Sequence, residues 1–429
     1  MGALTQWFND LTQWFNDRAP GLGVAYKKHL SEYYAPKNFN FMYYFGSLAL
    51  LVLVNQIVTG IFLTMFYTPT ASGAFDSVQY IMRDVHWGWL VRYMHETGAS
   101  MFFIVVYLHM FRGLMYGSYK KPRELVWLLG MLIFLALMAE AFMGYVLPWG
   151  NMSFWGAKVI ITLFSAVPVV GEQLVTWIMG SFVPSDPTLN RFFALHVVAM
   201  PLVLLLLVVL HLGALHEVGS NNPDGVEIKK HKGPDGRPLD GIPFHPYYTV
   251  KDLFGVGVFL VICAIVIFFE PTVGGFFLEH DNSIPANDLV TPASIKPVWY
   301  FSPFYAILRM IPSKGFGVLA LLASIVALFL VPWLDCGKVK SIRYRGLGYK
   351  VALTIFAIVF VLLAAIGADL TPGWIVDIFG PNADITSIEN LFGRTLVVLY
   401  FGYFVFLWAY TFFGWEKTKP VPERVTTHD

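Results

Sequence analysis

The stretch RYMHETGASMFFIVVYLHMFRG, residues 92–113, carries two histidines and two arginines in a segment that is otherwise apolar enough to cross a lipid bilayer. On a regular helix, His95 and His109 are separated by about 21 Å of rise and by about 40° around the axis. Both imidazoles therefore point the same way at two depths. Because ionisable groups at such depths are costly, they indicate function by default.

A second apolar segment repeats this arrangement with His196 and His211. Two helices that each offer one imidazole near each membrane face supply two axial nitrogens per iron, which is what two stacked bis-histidine haems require. A single intramembrane histidine is more often a hydrogen-bonded packing residue or a proton relay. Four histidines in this double register favour haem.

The composition is that of a membrane protein: 56% of the 429 residues are hydrophobic and 13% are charged. A net charge of +1 gives no basic surface that suggests nucleic acid. Cys263 and Cys336 lack any paired spacing, so disulfides, zinc fingers and covalently attached c-type haem are unsupported. The N-terminus shows no secretory signal pattern.

Eight apolar segments have the length of about 20 residues that a membrane-spanning helix needs. The sequence therefore predicts an all-α, polytopic membrane protein with a haem-binding four-helix bundle in its N-terminal half. Shorter amphipathic runs at 152–165, 171–180 and 298–311 are expected to lie on the surface or fold back. The predicted spans are 43–66, 88–112, 125–147, 190–215, 252–270, 316–334, 350–368 and 390–414.

The positions of the spans predict the domains of the chain and its orientation in the membrane. We expect an N-terminal cytoplasmic amphipathic segment, a di-haem bundle, a cytoplasmic loop, a C-terminal group of four spans that carries an outer loop, and a tail. Their bounds are 1–42, 43–220, 221–251, 252–414 and 415–429. Because 21 of the 29 Lys and Arg residues fall on one side, both termini are predicted to be cytoplasmic. The doubled LTQWFND, at 4–10 and 11–17, is interpreted as a local duplication in a surface helix.

Glycines and arginines accompany the histidines. A porphyrin plane lying against a helix leaves no room for a Cβ, and two glycine pairs, in the first and third spans, repeat the spacing of 14 residues. Close helix packing is the alternative for either pair. Three arginines near the ends of the histidine-bearing spans are candidate partners for haem propionates, although interfacial snorkelling explains each equally simply. These residues are Gly46 with Gly60, Gly130 with Gly144, and Arg92, Arg112 and Arg191.

Four further motifs complete the pattern: GYVLPWGNMSFWGA at 144–157, HEVGSNNP at 216–223, HPYYTVKD at 245–252 and PVWYFSPFYAILR at 297–309. With the histidines and glycines, they make nearly the whole chain resemble cytochrome b of the ubiquinol:cytochrome c reductase complex, in its bacterial, unsplit, eight-helix form.

The resemblance implies a set of site residues. It implies two non-covalent b-type haems, the outer one held by His95 and His196 and the inner one by His109 and His211. An outer quinol-oxidising pocket would be formed by Tyr145, Gly156, Pro297, Trp299 and Tyr300. An inner quinone-reducing pocket would be formed by His216, Ser220, Lys251 and Asp252.

The activity that the resemblance implies is a Q-cycle. Ubiquinol oxidised at the outer pocket gives one electron to a Rieske iron-sulfur protein and one to the outer haem, from which it passes to the inner haem and reduces quinone. Protons are released outside and taken up inside. The expected partners are the Rieske protein and a membrane-anchored c-type cytochrome, in a dimeric complex of the bacterial cytoplasmic membrane.

Residue chemistry at the inner pocket agrees with this. Reducing a quinone consumes two protons, so a histidine and a carboxylate beside a basic residue suit a proton donor site. His216 follows His211 by five residues, and Asp252 opens the fifth span on the same side. The alternative for Lys251 and Asp252 is an ordinary helix N-terminus with a favourably placed acid.

The sequence departs from the family pattern at two places. The loop that usually reads Pro-Glu-Trp-Tyr has Val298, which cannot carry a proton, and we expect Glu140, inside the third span, to take this role, with Glu270 as runner-up. His196 and His211 are 15 residues apart instead of 14. Because Pro201 lies between them, we predict that a kink or a one-residue bulge near Pro201 absorbs the extra residue.

Two other functions remain as alternatives. A proton-coupled transporter would use the intramembrane histidines and Glu140 as a relay, but no inverted hydropathy repeat is evident and the four spaced histidines all fall in the first half. A di-haem anchor for a soluble dehydrogenase would need about half this length, which leaves the last four spans and the aromatic loop at 297–309 unexplained.

Overall fold

The computed structural model describes residues 2–21, 24 and 32–425. Parts of the predicted N-terminal segment, 22–23 and 25–31, and the last four residues of the tail lie outside the described residues. Within them the chain is mainly helical, and eight helices are long and apolar enough to cross a membrane, as predicted. These spans are Phe41–Thr64, Gly88–Tyr116, Glu124–Val146, Asp186–Val218, Phe244–Phe269, Lys314–Leu334, Leu347–Gly367 and Ile385–Phe412.

Shorter elements connect the spans. The three amphipathic runs expected not to cross form helices of 12, 9 and 8 residues, each well below the crossing length. The α-helices outside the spans are Gly2–Arg18, Ala74–Arg83, Asn151–Thr162, Gly171–Met179, Ser302–Arg309 and Thr371–Phe379, and single 3₁₀ turns lie at Leu163–Ala166, Ile228–Lys230, His280–Ser283 and Trp299–Phe301. Helix Gly2–Arg18 contains both copies of LTQWFND and exposes Trp7 and Trp14.

A two-stranded antiparallel ribbon ties the segment before the first span to the loop before the fifth. Strand Tyr34–Pro36 pairs with Gly241–Pro243, with Tyr34 opposite Pro243. The fifth span begins just after this ribbon, earlier than hydropathy alone predicts. A kinked segment at Phe244–Tyr248, in which His245 has an extended backbone, leads into the α-helix Thr249–Phe269.

Seven of the eight spans fall into two groups, and the fifth span packs against the first and second spans. The first span packs along the second and the third along the fourth, so these four form a bundle in the N-terminal half. In the other half, the sixth, seventh and eighth spans surround the short helix Ser302–Arg309. A continuous apolar core that includes Phe103, Phe134 and Phe304 joins the two groups.

Buried charges also join the two groups. Asp335, after the sixth span, is fully buried, with the Lys120 ammonium at 2.8 Å and the Arg345 guanidinium at 2.5 Å. Arg345 also holds Glu416 of the tail, with its Nε 2.7 Å from Oε1. Burial alone would raise the pKa of Asp335, but the two neighbouring cations outweigh burial and lower it. The loop after the second span is thereby fixed to the C-terminal half.

The fourth span is not a regular α-helix. Residues Leu195–Ala199 form a π turn between the α-helical segments Asp186–Ala194 and Met200–Val218. In this turn the Met200 N–H bonds to the Leu195 carbonyl, five residues back. Pro201 follows at once and cannot donate a backbone hydrogen bond. The predicted one-residue bulge near Pro201 is confirmed, and it contains His196.

Candidate functional site

The four histidines meet in two tiers inside the N-terminal bundle. The imidazole centroids of His95 and His196 are 6.2 Å apart, with the ring planes at 88°. Those of His109 and His211 are 6.4 Å apart, at 62°. A metal ion bonded at about 2 Å to an imidazole nitrogen on each side separates the two centroids by roughly 6 Å. Each tier therefore has the width that one axially ligated iron needs.

Neighbouring groups hold the outer imidazoles by their Nδ1 atoms. His95 Nδ1 lies 2.9 Å from the Thr59 hydroxyl, and His196 Nδ1 lies 3.0 Å from the Glu140 carbonyl oxygen. In the inner tier, His109 Nδ1 lies 3.3 Å from a guanidinium nitrogen of Arg112. An imidazole whose Nδ1–H donates to an oxygen of the scaffold, as in the outer tier, presents Nε2 as the metal-binding nitrogen.

Each of the four glycines predicted to face haem lies against one of the histidines. A Cβ built on Gly60 would come within 3.2 Å of His95 Cε1, and one on Gly144 within 2.5 Å of His196 Cε1. The corresponding distances in the inner tier are 3.4 Å from Gly46 to His109 and 3.3 Å from Gly130 to His211. The first and third spans are therefore indented where the imidazoles of the second and fourth spans lie.

A cavity of about 420 Å³ surrounds the outer tier. Its walls include His95, His196 and Gly144, and it extends past Tyr145 to Val298 and Tyr300. Most of its lining is apolar. One continuous space thus runs from the outer histidine tier to the aromatic loop at 297–300.

The structure bears on the choice between haem and a bare metal ion. No cluster of three or more His, Cys, Asp or Glu side chains able to hold a metal ion occurs in residues 2–21, 24 and 32–425. Haem iron takes four ligands from the porphyrin and needs only two from the protein. The outer imidazoles, flanked by glycines in an apolar cavity, fit that requirement, and the inner pair has the same spacing and the same flanking glycines.

The three predicted propionate partners lie in different surroundings. Arg92 lines the cavity and pairs with Glu96 at 2.5 Å. Arg112 lies beside His109, with its guanidinium carbon 4.9 Å from the centroid of the Tyr43 ring. Arg191 lies outside the cavity, because its exposed guanidinium donates to the Trp177 carbonyl oxygen. The structure therefore brings two of the three arginines to the histidine tiers.

Of the five predicted outer-pocket residues, Tyr145 and Tyr300 line the end of the cavity, and Gly156, Pro297 and Trp299 are not among its lining residues. Tyr145 Cε1 lies 3.6 Å from the position of a Cβ on Gly156. The Trp299 indole donates to the Ser100 hydroxyl at 3.0 Å. Tyr300 stacks on Phe103, with centroids 4.0 Å apart. Pro297 is the first residue of the loop at 297–300, and the side chain of Val298, the next residue, is buried.

A residue that the sequence analysis missed also belongs to this pocket. The Tyr145 hydroxyl donates a hydrogen bond to the carboxylate of Glu279, on the loop after the fifth span. Burial raises the pKa of Glu279, although the hydrogen bond from Tyr145 and the charge of Lys296 oppose this. The only signal in the sequence was the neighbouring aromatic pair, Phe276 and Phe277, in an otherwise irregular loop.

The two carboxylates considered from sequence lie apart from this contact. Glu140 lines the cavity, and its Oε1 lies 3.1 Å from His196 Nδ1, so it is held against the outer imidazole. Glu270 is exposed at the end of the fifth span and accepts hydrogen bonds from Thr272 Oγ1 at 2.6 Å and from the Gly274 N–H at 3.2 Å.

The inner pocket residues are partly assembled. Tyr33 links His216 to Ser220, because its ring centroid lies 4.7 Å from that of His216 and its hydroxyl lies 3.0 Å from Ser220 Oγ. Asp252 lies in the first turn of helix Thr249–Phe269. Lys251 is exposed, with its ammonium 5.5 Å from the centroid of the Tyr248 ring. Tyr33, outside any motif, is a second contact that sequence reasoning missed.

Comparison with known proteins decides the family. A family model described as cytochrome b/b6/petB matches residues 30–219, and one described as cytochrome b (C-terminal)/b6/petD matches residues 285–380. The chain belongs to the cytochrome b family. It is 58% identical to cytochrome b of Allochromatium vinosum over 416 residues, which cover 95% of this chain and 96% of the relative. It is 50% identical to cytochrome b of Rhodospirillum rubrum, with 98% and 97% of the two chains covered.

A solved structure shares the fold. A chain of a hyperthermophilic respiratory Complex III superposes with a TM-score of 0.83 at 37% sequence identity, covering 94% of this chain and 98% of that one. As a cytochrome b, the present chain is a haem-binding, multi-pass membrane subunit of a ubiquinol–cytochrome c reductase, an oxidoreductase of respiratory electron transport.

Proposed function

We propose that this subunit binds two non-covalent b-type haems, oxidises ubiquinol at an outer site and reduces quinone at an inner site. The observation that carries the proposal is the pair of histidine tiers, with centroid separations of 6.2 and 6.4 Å. His95 and His196 would ligate the outer iron, and His109 and His211 the inner iron. When bound, the haems supply one-electron carriers at two depths of the membrane.

The protein contributes fixed positions and a closed surrounding. Thr59 and the Glu140 carbonyl hold the outer imidazoles in orientation. Gly46, Gly60 and Gly130, with Gly144, leave space beside the imidazoles. Charge on the propionates would be met by Arg92 and Arg112. Arg191 remains a predicted partner although its guanidinium bonds to another loop.

The outer quinol site is proposed at the end of the cavity that reaches the loop at 297–300. Tyr145, Gly156, Pro297, Trp299 and Tyr300 would enclose the quinol head. The aromatic walls suit a flat ring, and the cavity continues to the outer histidine tier. A quinol bound there would lie next to the group that receives its second electron.

Glu140 is proposed as the carboxylate on the haem side of this site. Its Oε1 lies 3.1 Å from His196 Nδ1, and its Oε2 is buried without a hydrogen-bond partner. If Glu140→Gln oxidised ubiquinol at the normal rate while both haems stayed bound, this role would be excluded.

The inner quinone site is proposed around His216, Ser220, Lys251 and Asp252. Reduction of quinone takes up two protons, which a histidine and a carboxylate can supply. The contact of Tyr33 with both His216 and Ser220 supports the grouping of these two. Lys251 and Asp252 would complete the site from the start of the fifth span.

The partners and the orientation follow from the same proposal. The two electrons of ubiquinol need separate acceptors, so we infer a Rieske iron-sulfur protein that feeds a membrane-anchored c-type cytochrome, in a homodimeric complex. Both termini would lie on the cytoplasmic side of a bacterial inner membrane, as the basic loops indicate. The 43–220 bundle would carry electrons, and the 252–414 half would complete the outer site.

A reduced-minus-oxidised absorption spectrum of the purified complex tests the proposal. We expect two b-type haems per chain, and only one after His196→Leu or His211→Leu. Sensitivity of quinol oxidation to outer-site and inner-site inhibitors would exclude a simple di-haem anchor. A colourless protein would refute the proposal and leave the proton-coupled transporter, whose intramembrane histidines would act as a relay.

A further inference from the structure

The outer pocket needs a proton acceptor, and Val298 cannot serve as one. This inference rests on the proposed function, in which two quinol protons leave from the outer side. Val298 is 5% exposed and lines the cavity, yet it has no ionisable group. Proton removal from a reacting hydroxyl requires a base within hydrogen-bond reach or connected through one intervening group.

Four carboxylates are candidates for this role, and of these Glu96 and Glu140 line the cavity whereas Glu270 does not. Glu96 pairs with Arg92 at 2.5 Å, and Glu140, the carboxylate proposed for the haem side of the site, is held against His196. Glu270 is exposed and accepts from the Thr272 hydroxyl. The fourth, Glu279, accepts the hydrogen bond from Tyr145, whose ring lines the cavity. It is therefore the carboxylate connected to the pocket through a hydroxyl group.

The loop that carries Glu279 packs on the quinol-pocket loop. Phe276 stacks on Trp299 with centroids 5.3 Å apart, and Phe277 does so at 6.1 Å while also lining the cavity. Just beyond Glu279, the chain becomes exposed at His280 and Asp281. Glu279 thus lies between the closed end of the pocket and the aqueous surface.

Opposing influences set the pKa of Glu279, which lies above its usual value. Burial raises its pKa, the Tyr145 hydrogen bond and the positive Lys296 lower it, and the acidic Asp281 and Glu96 raise it. Tyr300 is a further titratable group that faces Glu279, and His280 follows Glu279 in the chain. A carboxylate whose pKa is raised toward the working pH is a more effective proton acceptor than an ordinary exposed one.

We propose that Glu279 accepts a quinol proton through the Tyr145 hydroxyl and passes it to the outer aqueous phase. The quinol O–H bond breaks and a new O–H bond forms at the Tyr145 oxygen, while the original Tyr145 proton moves along its hydrogen bond to Glu279 Oε2. The electron leaves separately to the one-electron acceptors of the proposed function. Glu279 then loses its proton to water, which restores the starting state.

Glu279→Gln in the complete purified complex tests this step. Oxidation of a short-chain ubiquinol, with cytochrome c as acceptor, should slow by about 10²-fold, the contribution typical of a positioned general base. Asp288→Asn, an exposed carboxylate of the same loop, is the matched control and should leave the rate unchanged. Both haem bands should persist in each variant, which separates this effect from misfolding.

Two further variants test a proton role rather than a structural one. Tyr145→Phe should slow oxidation similarly, and combining it with Glu279→Gln should add little, since both interrupt one relay. Val298→Glu in the Glu279→Gln background should restore much of the rate, because it returns a carboxylate to the same pocket. The wild-type rate should fall as the pH drops below the raised pKa of Glu279, and this acid limb should disappear in Glu279→Gln.

The possible results distinguish failure of the Glu279 relay from failure of the proposed quinol oxidation. A wild-type complex that does not oxidise quinol overturns both. A wild-type rate in Glu279→Gln overturns the relay alone. So does a slow Glu279→Gln that keeps the acid limb and is not rescued by Val298→Glu, because that result indicates a structural role for Glu279.

Discussion

Gly144 lies so close to His196 that a Cβ on the glycine would fall 2.5 Å from Cε1 of the imidazole. Real side chains do not tolerate such an approach, so the imidazole or the third span would have to move. The contact connects a helix-packing residue directly to a proposed haem ligand. Replacing one glycine at a time therefore tests each histidine tier separately.

We therefore predict that Gly144→Ala displaces His196 and lowers the haem content from two per chain toward one, with loss of the outer haem. Gly46→Ala, where the corresponding distance is 3.4 Å, should be tolerated far better. Gly213→Ala is the matched control on the fourth span, because no atom lies within 4 Å of its Cβ position. The measurement is the pyridine haemochrome and low-temperature spectrum of each purified variant. Retention of both haems in Gly144→Ala would contradict the proposed role of the tier.

Much of this architecture is predictable from sequence because the bilayer simplifies the physics. Span positions follow from hydropathy, and the convergence of the imidazoles follows from helical period once His95 and His109 are seen to lie on one face. The π turn follows from the spacing between His196 and His211 together with Pro201. Each of these predictions follows from residue spacing along one span, without knowledge of how the loops pack.

What the sequence did not predict lies in irregular segments. Glu279 and Tyr33 belong to stretches without hydrophobic periodicity, so nothing local indicates which side chains they meet. The Tyr145–Glu279 hydrogen bond and the contact between the Tyr33 and Ser220 hydroxyls depend on how segments distant in sequence pack together. Arg191 shows the reverse case: its position at a span end suggested a propionate, but Trp177, on an adjacent short helix, supplies its acceptor.

The buried ion cluster at Asp335 is expected to stabilise the junction between the two halves. Asp335→Asn removes the carboxylate that pairs with the buried Lys120 ammonium and leaves Arg345 paired with Glu416 alone. Breaking a buried ion pair in this way typically costs about 3–5 kcal/mol. Thermal unfolding of the purified complex in detergent should show this as a clearly lower midpoint. The control is Asp235→Asn, since Asp235 and Arg237 form an exposed pair 3.7 Å apart whose loss should cost about 0–1 kcal/mol. Equal midpoints for the two variants would contradict the assignment.

The partly buried ion pairs of Glu227 with Arg123 and Lys340 should make the free energy of unfolding depend on pH. Burial alone would raise the pKa of Glu227, but hydrogen bonds from Arg123 and Lys340 outweigh burial and lower the pKa from 4.5 to about 2. Because the pKa is lower in the folded state, the stabilisation is complete above pH 4.5 and is lost as the pH falls toward about 2. The difference in unfolding midpoint between wild type and Glu227→Gln should be constant near neutral pH and should shrink below 4.5. A difference that grows on acidification would have the wrong sign.

The π turn at Leu195–Ala199 holds one residue more than an α-helical turn, so removing one residue there should restore a regular helix without moving its ends. We predict that deletion of Val198, whose side chain is exposed, keeps His196 and His211 in their tiers and retains both haems. Deletion of Leu108, also exposed but in the regular second span, should instead rotate the helix beyond it by about 100° and displace His109. Haem stoichiometry of the two deletion variants measures the difference. If the Val198 deletion lost a haem while the Leu108 deletion kept both, the π turn would not be the element that absorbs the extra residue.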